Sequence, residues 1–421
     1  MEPAISTRAV ARAAPTAWQR FCLDRITAFL KRVQVGRLEL SLPDGQVARF
    51  GDDRSNAAAS LQIHEWSVFA RIVRGGDVAL GEAYVDGLWD SGDLVGLIEL
   101  FHRNIELFDA AEANPSWPQR IVNRALHWSR RNKPARSKDN IAAHYDLGNS
   151  LFELFLDESW CYSSAIFDTP NESLEVAQRR KIERLLALAQ IQPGQHLLEI
   201  GCGWGSLAIE AAQRFGCRVT GITLSANQLA LARERAAAAG VAHLVDFQLC
   251  DYRALEGCFD RIVSVEMLEA VGHEFLGIFF QRCDRLLAPG GRVVIQVITV
   301  PDQRYEIYRR GCDWIQKHIF PGGLAPSLTA LCNAMTRDSR FVVESLDNIG
   351  SHYATTLRHW RRRFEAQSSE AERRGYDERF RRLWRYYLSY CEAGFSAGTF
   401  GDLQLVMVRP GDRAVANRVG A

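Results

Sequence analysis

The N-terminal part of the chain combines alternating and helical hydrophobic patterns. Apolar and polar residues alternate from Leu38 to Phe50 around a central Asp-Gly pair, which is typical of a β-hairpin. Helical periodicity runs from His64 to Val73, shortly before two glycines that we expect to end the helix, and again from Leu94 to Phe108. Residues before about position 18 lack a clean pattern and are expected to fray. We predict a small α+β domain over residues 1–109.

Short apolar strands alternate with amphipathic helices after about residue 141. One strand, His196 to Ile200, leads directly into a glycine-rich turn, and the alternation continues to a last strand at Leu403 to Val408. Strands separated by helices form βαβ units and a mostly parallel sheet. Right-handed crossovers place the connecting loops at the carboxyl ends of such strands, where ligands bind. The pattern predicts an α/β domain over residues 141–421.

Composition narrows the classes of protein that these patterns allow. The 421 residues are 47% apolar and 24% charged, with 51 Lys plus Arg against 50 Asp plus Glu. This balance excludes a chain-wide basic surface for nucleic acid, and no uninterrupted apolar run is long enough for a membrane span. The ten cysteines include no C-x-x-C pair, which indicates reduced thiols in a cytoplasmic protein without a metal cage or a disulfide framework.

A basic segment separates the two predicted domains. Residues 110–140 lack clear periodicity, and seven basic residues but no acid occur from Arg120 to Lys138, close to Trp117 and Trp128. Cations interleaved with tryptophan suit the surface of an anionic bilayer, whereas a solvated linker explains the same composition. No recognition motif accompanies the charge, which disfavours nucleic acid. We predict a basic linker and leave the two explanations open.

The turn after the strand at His196–Ile200 carries the glycine pattern of a cofactor site. Gly201, Gly203 and Gly205 form G-x-G-x-G, and Glu199 lies inside the strand. Glycines let the backbone approach a ligand closely, and the helix amides beyond the turn favour an anionic group. Dinucleotide sites use G-x-G-x-x-G, and Glu199 is placed to meet an ammonium group. The pattern therefore favours S-adenosylmethionine over NAD.

Later strand ends offer candidates for the rest of the cofactor. Thr223 ends the second strand and Gln228 lies one turn into the next helix, where both are candidates for contact with ribose hydroxyls. Ser225 forms a capping-box pattern with Gln228, which needs no ligand, and we assign Ser225 to capping. Asp251 and Tyr252 follow the third strand and are candidates for the adenine amino group and ring. A helix cap is the alternative role of Asp251.

Motifs beyond the glycine turn occur in the order of a known family. They are His144–Phe152, Tyr162–Ala165, Leu198–Gly205, Asp260–Met267, Ile319–Gly323, His352–Leu357 and Tyr386–Phe395. From about residue 130 to 409 the chain resembles the cyclopropane-fatty-acyl-phospholipid synthase family, and its first domain resembles the lipid-handling domain of bacterial members. The resemblance implies a class I methyltransferase over residues 141–421, with a Rossmann-like, mostly parallel, seven-stranded sheet and an acyl-chain pocket.

The resemblance also implies a reaction and its setting. Members transfer the methyl group of S-adenosylmethionine to a cis double bond of an unsaturated phospholipid, and a bound bicarbonate is thought to remove the proton that lets a cyclopropane ring close. The cationic intermediate needs a dry pocket and is stabilised by aromatic faces. We expect a cytoplasmic enzyme at the inner face of the membrane, and a homodimer is compatible with the two-domain build. Four aromatics are available, although core packing is the favoured role of each: Phe167, Trp314, Phe320 and Tyr353.

Individual site residues follow from the same resemblance. Tyr162 and Ser163 match residues that close over the methionine end of the cofactor. Glu269 matches the acid of the bicarbonate pocket and Tyr353 matches its tyrosine. Cys391 matches a cysteine once considered a nucleophile, but the chemistry needs no thiolate, so we favour core packing for it.

Two positions of the pocket differ from the family pattern. Ser164 stands where the family has a cysteine, and Gln296 stands where it has a histidine. Serine, glutamine and tyrosine can all donate hydrogen bonds to an anion, but the basicity and charge of the pocket would differ. The differences therefore concern the ring-closing step, and the use of bicarbonate, more than methyl transfer.

Two late helical segments are rich in arginine. Spacing of i, i+3 and i+4 would gather the cations on helix faces, where they either attract anionic headgroups or are simply solvated. They are Arg358, Arg361, Arg362, Arg363, Arg379, Arg381, Arg382 and Arg385.

The function that these observations favour is formation of a cyclopropane fatty acyl chain. A methyl-branched or methylene product is the alternative within the same chemistry. Methylation of a small amine is a second alternative, disfavoured because a soluble amine needs neither the N-terminal domain nor the basic linker. A lipid-binding module that has lost its chemistry at Ser164 and Gln296 is the third, and the intact glycine turn argues against it.

Overall fold

The computed structural model describes residues 14–52, 58–107 and 148–411. The N-terminal domain contains a four-stranded sheet in the order β2-β1-β3-β4. Its strands are β1 (Arg37–Ser41), β2 (Val47–Gly51), β3 (Ala58–Ile63) and β4 (Trp89–Asp90), and its helices are α1 (Ala17–Leu30), α2 (Ser67–Val85) and α3 (Leu94–Arg103). The hairpin predicted from the alternating pattern is β1–β2, in which Leu38 pairs with Phe50.

The second domain contains a seven-stranded sheet in the order β10-β11-β9-β8-β5-β6-β7. β5 to β9 are parallel, whereas β11 is antiparallel to both β9 and β10. The mostly parallel α/β sheet is therefore confirmed. The strands are β5 (His196–Ile200), β6 (Arg218–Thr223), β7 (Val245–Leu249), β8 (Phe259–Val265), β9 (Leu287–Thr299), β10 (Val342–Asn348) and β11 (Gly401–Val408).

Both faces of this sheet are buried. Leu198 and Val293 face one apolar cluster, while their chain neighbours Leu197 and Val294 face another. Burial on both faces explains why the strands read as continuous apolar runs. The helices of this domain are α4 (Asn149–Phe152), α5 (Leu174–Ala189), α6 (Ser206–Phe215), α7 (Ala226–Ala238), α8 (Leu276–Leu286), α9 (Asp302–Tyr308), α10 (Trp314–His318), α11 (Leu328–Asp338), α12 (Gly350–Ala366), α13 (Ser368–Arg373) and α14 (Glu378–Ser396).

α2 does not end at the glycine pair where the sequence predicts its end. Gly76 has a left-handed φ of 62°, which glycine adopts without a Cβ penalty, and the helix resumes beyond it as far as Val85. Ala83 and Tyr84 in the second half are buried, and the rings of Tyr84 and Tyr386 have centroids 5.5 Å apart. Burial of the second half explains why the helix continues after the kink.

α14 joins the two domains. It packs against α2 and α3 of the N-terminal domain and against α12 of the second domain. Arg379 pairs with Asp86, and Arg382 pairs with Asp90. The indole of Trp384, on the same helix, is fully buried. The C-terminal part of the chain therefore positions the N-terminal domain.

The arginine-rich helices α12 and α14 do not present the free basic face considered from the sequence. Arg358 and Arg361 share the carboxylate of Glu392, whose side chain is 3% exposed. Of the eight arginines, Arg362 alone forms no ion pair with a described residue. Because acids neutralise the others, this surface offers little to an anionic headgroup. The remaining pairs are Arg363–Glu175, Arg379–Asp86, Arg381–Glu378, Arg382–Asp90 and Arg385–Glu365.

Several predictions concern residues that the structure does not describe. The basic linker at 110–140, with its two tryptophans, and the first residues of the motif at 144–152 lie outside the described ranges. The domain boundaries placed there stay predictions. Among the described residues, no helix combines the length and the apolar character needed to cross a bilayer.

Candidate active site

A cavity opens at the carboxyl ends of the parallel strands. The glycine turn follows β5, Thr223 ends β6, Asp251 follows β7 and Glu266 follows β8, and all of them contribute to its wall. The structure therefore brings together residues that the sequence analysis proposed from separate strand ends. The predicted cofactor residues that line the cavity are Tyr162, Ser163, Glu199, Gly201, Gly203, Thr223, Gln228, Asp251 and Tyr252.

The glycine turn uses backbone conformations that other residues avoid. Gly201, Gly203 and Gly205 have φ values of 84°, 52° and 85°. A Cβ at Gly203 would meet no atom of the described residues within 4 Å, so this residue faces the open cavity. A Cβ at Gly205 would lie 2.6 Å from the ring of Phe247. Gly205 therefore allows close packing at the start of α6, and it is not among the residues that line the cavity, so its predicted contact with the cofactor stays a prediction.

Two buried ionisable side chains, Glu199 and Lys181, belong to the cavity wall. Glu199 is 4% exposed, and its Oε2 atom has no hydrogen-bond partner among the described residues. Burial raises the pKa of its carboxyl to about 8, against the opposing charge of Lys181. Lys181 is also buried and donates from Nζ to Ser163 Oγ at 2.8 Å. A buried carboxylate oxygen without a partner needs a donor, and the ammonium of S-adenosylmethionine provides one.

The end of β6 carries the pair predicted to contact ribose. Thr223 Oγ1 donates to Gln228 Oε1 at 2.7 Å, and both residues line the cavity. The backbone amide of Gln228 donates to Ser225 Oγ at 3.2 Å, so Ser225 caps α7 as predicted. Gln228 Nε2 makes no hydrogen bond with a described residue. It is therefore available as a donor to a ligand.

Asp251 is held by its neighbour Arg253. Its Oδ1 accepts from the backbone amide and from Nε of Arg253, both at 2.9 Å, and Oδ2 accepts from the same guanidinium. Tyr252 is buried in the cavity wall beside it, and this burial raises the pKa of its hydroxyl. Asp251 therefore closes a turn and does not cap a helix, which was its alternative role, while the ring of Tyr252 offers a surface for a planar base.

Glu266 occupies the centre of the second half of the site. Its φ of 49° is a left-handed value that is uncommon outside glycine. Its Oε1 accepts from the backbone amide of Ser164 and from Gln296 Nε2, both at 2.8 Å, and its Oε2 accepts from the Tyr353 hydroxyl at 2.5 Å. Three residues that the family resemblance assigns to an anion pocket thus converge on a carboxylate of the chain itself.

Two buried side chains of β11 orient Gln296. Gln404 Nε2 donates to Gln296 Oε1 at 2.9 Å, and Gln296 Nε2 donates to Asp402 Oδ2 at 3.0 Å as well as to Glu266. Burial, followed by the charge of Glu266, raises the pKa of Asp402 well above its usual range. Burial also raises the pKa of Glu266, but Tyr353 and the other donors oppose the rise. The donors therefore favour the ionised form of Glu266, whereas burial and the charge of Glu266 favour the protonated form of Asp402.

Glu269, the predicted acid of the bicarbonate pocket, lies in a short 3-10 turn at Leu268–Ala270. One of its carboxylate oxygens accepts from the amide of Ile298, and the other has no partner among the described residues. Burial, and then the charge of Glu266, raises its pKa to about 8. At pH 7 Glu269 is therefore mainly a neutral acid, and it lacks the three donors that favour the ionised form of Glu266.

Aromatic rings connect the cofactor cavity with Glu266. The hydroxyls of Tyr162 and Tyr387 lie 2.6 Å apart. The ring of Trp360 is 5.2 Å from that of Tyr162 and 6.0 Å from that of Tyr353, between centroids. Aromatic faces attract cations, most strongly where water is excluded. The wall between the two halves of the site is therefore suited to a cationic species.

Three other residues considered for a role in the site have environments typical of the core: Trp314, Phe167 and Cys391. Trp314 packs on Tyr386 with ring centroids 4.6 Å apart, and Phe167 stacks on His359 at 5.5 Å. Burial raises the pKa of the Cys391 thiol, which disfavours a thiolate nucleophile. Core packing, the role we favoured from the sequence, fits these three residues.

Burial raises the pKa of Glu266, and the Tyr353 hydroxyl opposes this rise. Replacing Tyr353 by phenylalanine removes a donor to the carboxylate, so the pKa of Glu266 rises. If Glu266 must be ionised to act, the acid limb of the kcat–pH profile moves upward by about one pH unit. Tyr376→Phe, at an exposed hydroxyl that contacts Ser150, is the matched control and leaves the limb in place. A Tyr353→Phe profile with lower kcat but an unmoved limb would give Tyr353 a packing role only.

The cofactor that fits the first half of the site carries an ammonium group for Glu199 and hydroxyls for Thr223 and Gln228. Together with the strand order of the sheet, this fit defines the chain as a class I S-adenosylmethionine-dependent methyltransferase. The chain belongs to the mycolic acid cyclopropane synthetase family, whose model matches residues 132–405. The resemblance read from the motifs is therefore confirmed.

Relatives of known name cover most of the chain. It is 41% identical over 393 residues to the tuberculostearic acid methyltransferase of Mycobacterium tuberculosis, which covers 89% of this chain and 88% of that protein. It is 34% identical over 384 residues to the cyclopropane-fatty-acyl-phospholipid synthase of Escherichia coli, covering 88% and 94%. A crystal structure of the mycolic acid cyclopropane synthase CmaA1 complexed with SAH and CTAB superposes with a TM-score of 0.60 at 31% identity, covering 64% of this chain and 97% of that one. These similarities confirm the enzyme class and its cofactor.

Proposed function

We propose that this enzyme methylates the double bond of an unsaturated phospholipid acyl chain and that Glu266 accepts the proton that the reaction releases. The observation that carries the proposal is the convergence of Ser164, Gln296 and Tyr353 on the Glu266 carboxylate. S-Adenosylmethionine supplies an electrophilic methyl group on a sulfonium. Two relatives support a lipid substrate by their names, the tuberculostearic acid methyltransferase and the cyclopropane-fatty-acyl-phospholipid synthase.

Proton removal is the step for which the chain provides an unusual group. A methyl group that bonds to one alkene carbon leaves a positive charge on the neighbouring carbon, and the charge disappears when a proton leaves. A base must therefore stand close to both the methyl donor and the alkene. Glu266 lines the cofactor cavity and, through Tyr353, also borders the aromatic wall. Its carboxylate oxygens retain lone pairs for a proton after accepting these hydrogen bonds.

The residues of the second half of the site do not fit a bicarbonate ion in the predicted position. Gln296 and Tyr353 already donate to Glu266, and the Ser164 hydroxyl donates to Ala165 O at 3.1 Å. A second anion would lie beside an ionised carboxylate and would lack those donors, which disfavours its charged form. The proposal therefore uses no bicarbonate.

We infer a methylene-branched acyl chain as the product. Loss of a proton from the transferred methyl group closes a ring directly; after a hydride shift from the methylated carbon to its neighbour, the same loss leaves an exocyclic methylene group. Glu266 is fixed at the end of β8, so it meets the substrate at a different position than a diffusible bicarbonate ion would. In addition, the relative at 41% identity is named a methyltransferase. A cyclopropane ring is the second candidate, supported by the relative from Escherichia coli.

Mass spectrometry of the fatty acids formed on unsaturated phospholipid vesicles separates these products. Both gain one CH₂ over the substrate. Mild catalytic hydrogenation adds two hydrogens to a methylene branch and leaves a cyclopropane intact. The proposal predicts a new acyl chain that takes up two hydrogens and becomes a saturated, methyl-branched chain. A new chain that resists hydrogenation would establish the ring instead.

Small amines provide the control for the substrate class. Under the proposal, radiolabel from the methyl group of S-adenosylmethionine enters the fatty acyl fraction, and simple primary and secondary amines stay unlabelled. Label in the amines and none in the lipid would overturn the proposal and favour an N-methyltransferase.

A further inference from the structure

α1 carries exposed aromatic rings on a well-formed helix. Trp18 is 47% exposed and Phe21 is 51% exposed, and their rings stack with centroids 5.5 Å apart. Thr16 and Gln19 form a capping box at the start of the helix, so the first turn is held in place. The rings therefore lie on an ordered surface, although the sequence suggested a fraying terminus there.

The opposite side of α1 is already occupied. Cys22 and Leu30 are buried in the core, and Ile26 packs against the same cluster. The helix is thus fixed to the N-terminal domain by one face and cannot turn Trp18 and Phe21 inward. Large apolar side chains that stay exposed at helical spacing, next to cations, indicate a surface that binds an external partner.

The charge beside these rings is positive and unneutralised. From residue 17 to residue 32 the chain contains four cations and one acid, Asp24. None of the four cations forms an ion pair with a described residue, in contrast to the arginines of α12 and α14. Trp18, Phe21, Arg25, Ala28 and Arg32 follow one another at spacings of three and four residues, and all five are exposed. We name this row the α1 stripe. The four cations are Arg20, Arg25, Lys31 and Arg32.

We propose that the α1 stripe is the surface by which the enzyme docks on an anionic bilayer. Tryptophan and phenylalanine suit the level of the headgroups, where a ring is half apolar and half hydrated. Arginine and lysine next to them attract anionic lipids. The inference rests on the proposed function, because only a lipid substrate gives the enzyme a reason to hold a bilayer.

The fold connects the α1 stripe with the active site. α1 packs against α2, and α2 packs against α14. α14 carries Tyr387, whose hydroxyl meets that of Tyr162 at the cofactor cavity. A bilayer held by α1 is therefore two helices away from the aromatic wall of the site. The docking surface for the lipid and the cavity for the methyl donor are therefore connected by directly packed helices.

Vesicle flotation tests the docking surface without any need for turnover. The full-length enzyme should bind vesicles of phosphatidylcholine with one-third phosphatidylglycerol, and less so vesicles of phosphatidylcholine alone. The triple variant Arg25→Gln, Lys31→Gln, Arg32→Gln should bind the anionic vesicles about a hundredfold more weakly, at roughly fivefold for each cation. The double variant Trp18→Ser, Phe21→Ser should bind both vesicle types at least about tenfold more weakly. Val176→Ser, Leu249→Ser removes comparably exposed apolar groups elsewhere and should bind like the parent.

Activity measurements distinguish a failure of docking from a failure of the proposed function. The double variant should lose activity on vesicles but keep it on unsaturated phospholipid dispersed in detergent micelles. A parent enzyme that methylates neither preparation would refute the proposed function. The vesicle-binding measurement would still decide whether the α1 stripe docks on the bilayer. Parent-like binding by both variants would overturn the proposal. So would a change from dimer to monomer in the double variant with vesicle binding intact, because the stripe would then be an interface between copies of this chain.

Discussion

Replacing Glu266 by glutamine is expected to reduce turnover about a thousandfold. The amide is close in shape to the carboxylate but cannot accept the proton, and a positioned general base contributes roughly 10²- to 10⁴-fold. Glu266 also lines the cofactor cavity, so the affinity for S-adenosylmethionine should change, but far less than the rate. Single-turnover transfer of label to lipid, with calorimetry of cofactor binding, measures the two effects separately.

Glu269→Gln is the matched control for this prediction. The pKa of Glu269 lies at about 8 because of burial and the charge of Glu266. Glutamine therefore resembles its neutral form at pH 7, and turnover should fall less than about tenfold. The opposite ranking, with Glu269→Gln inactive and Glu266→Gln active, would transfer the role of base to the residue that the family resemblance first indicated.

Replacing Glu199 by glutamine is expected to weaken the binding of S-adenosylmethionine by roughly 10- to 100-fold. The unpartnered Oε2 of Glu199 is the acceptor that the cofactor ammonium needs, and a hydrogen bond between charged groups is worth about 1.5–3 kcal/mol. Glu256→Gln, at an exposed position, is the control and should bind like the parent. Equal affinity for the parent and for Glu199→Gln would show that the ammonium binds elsewhere.

The pH dependence of cofactor binding tests the same contact. In the free protein, burial raises the pKa of Glu199 to about 8, so the carboxyl is mainly protonated at pH 6. The ammonium favours the ionised form, so binding releases a proton and the affinity should rise from pH 6 to about pH 8. The Glu199→Gln variant has no such group. Its affinity should stay nearly constant over this range.

The strand pattern was sufficient to predict the sheet and the cofactor half of the site. Buried parallel strands read as apolar runs, and the rule that ligands bind at their carboxyl ends predicts that Thr223, Tyr252 and the glycine turn lie together. The helix at Ser67–Val85 was predicted too short, because a glycine pair normally ends a helix and only tertiary burial of Tyr84 continues it. Local patterns do not contain that information.

The second half of the site could not be predicted in the same way. Glu266 stands directly after β8, and the strand-end rule applied to every strand would have marked it. Its partners come from three distant segments, which meet only in the folded chain. Asp402 and Gln404 lie on β11, where they are buried beside Gln296. Buried polar residues in a strand give no sequence signal that separates a catalytic network from a structural one.

Charge was the least predictable property of the chain. The arginines of α12 and α14 looked like a basic face because their acidic partners are distant in sequence, such as Glu175 for Arg363 and Asp86 for Arg379. Four cations that form no ion pair with a described residue lie instead on α1 and directly after it, in a segment that the sequence suggested would fray at its start. Net charge along a helix therefore predicts a surface potential only after the ion pairs are known.

Bicarbonate dependence tests most directly whether the chain supplies its own base. The parent enzyme and the Glu266→Gly variant are compared in carbon-dioxide-free buffer and in buffer with added bicarbonate. Glycine suits the left-handed φ of 49° at this position and leaves room for a small anion. We predict equal turnover of the parent in both buffers, and a variant that is inactive without bicarbonate and partly restored by it. A parent enzyme that stops working when bicarbonate is removed would contradict the assignment of Glu266 as the base.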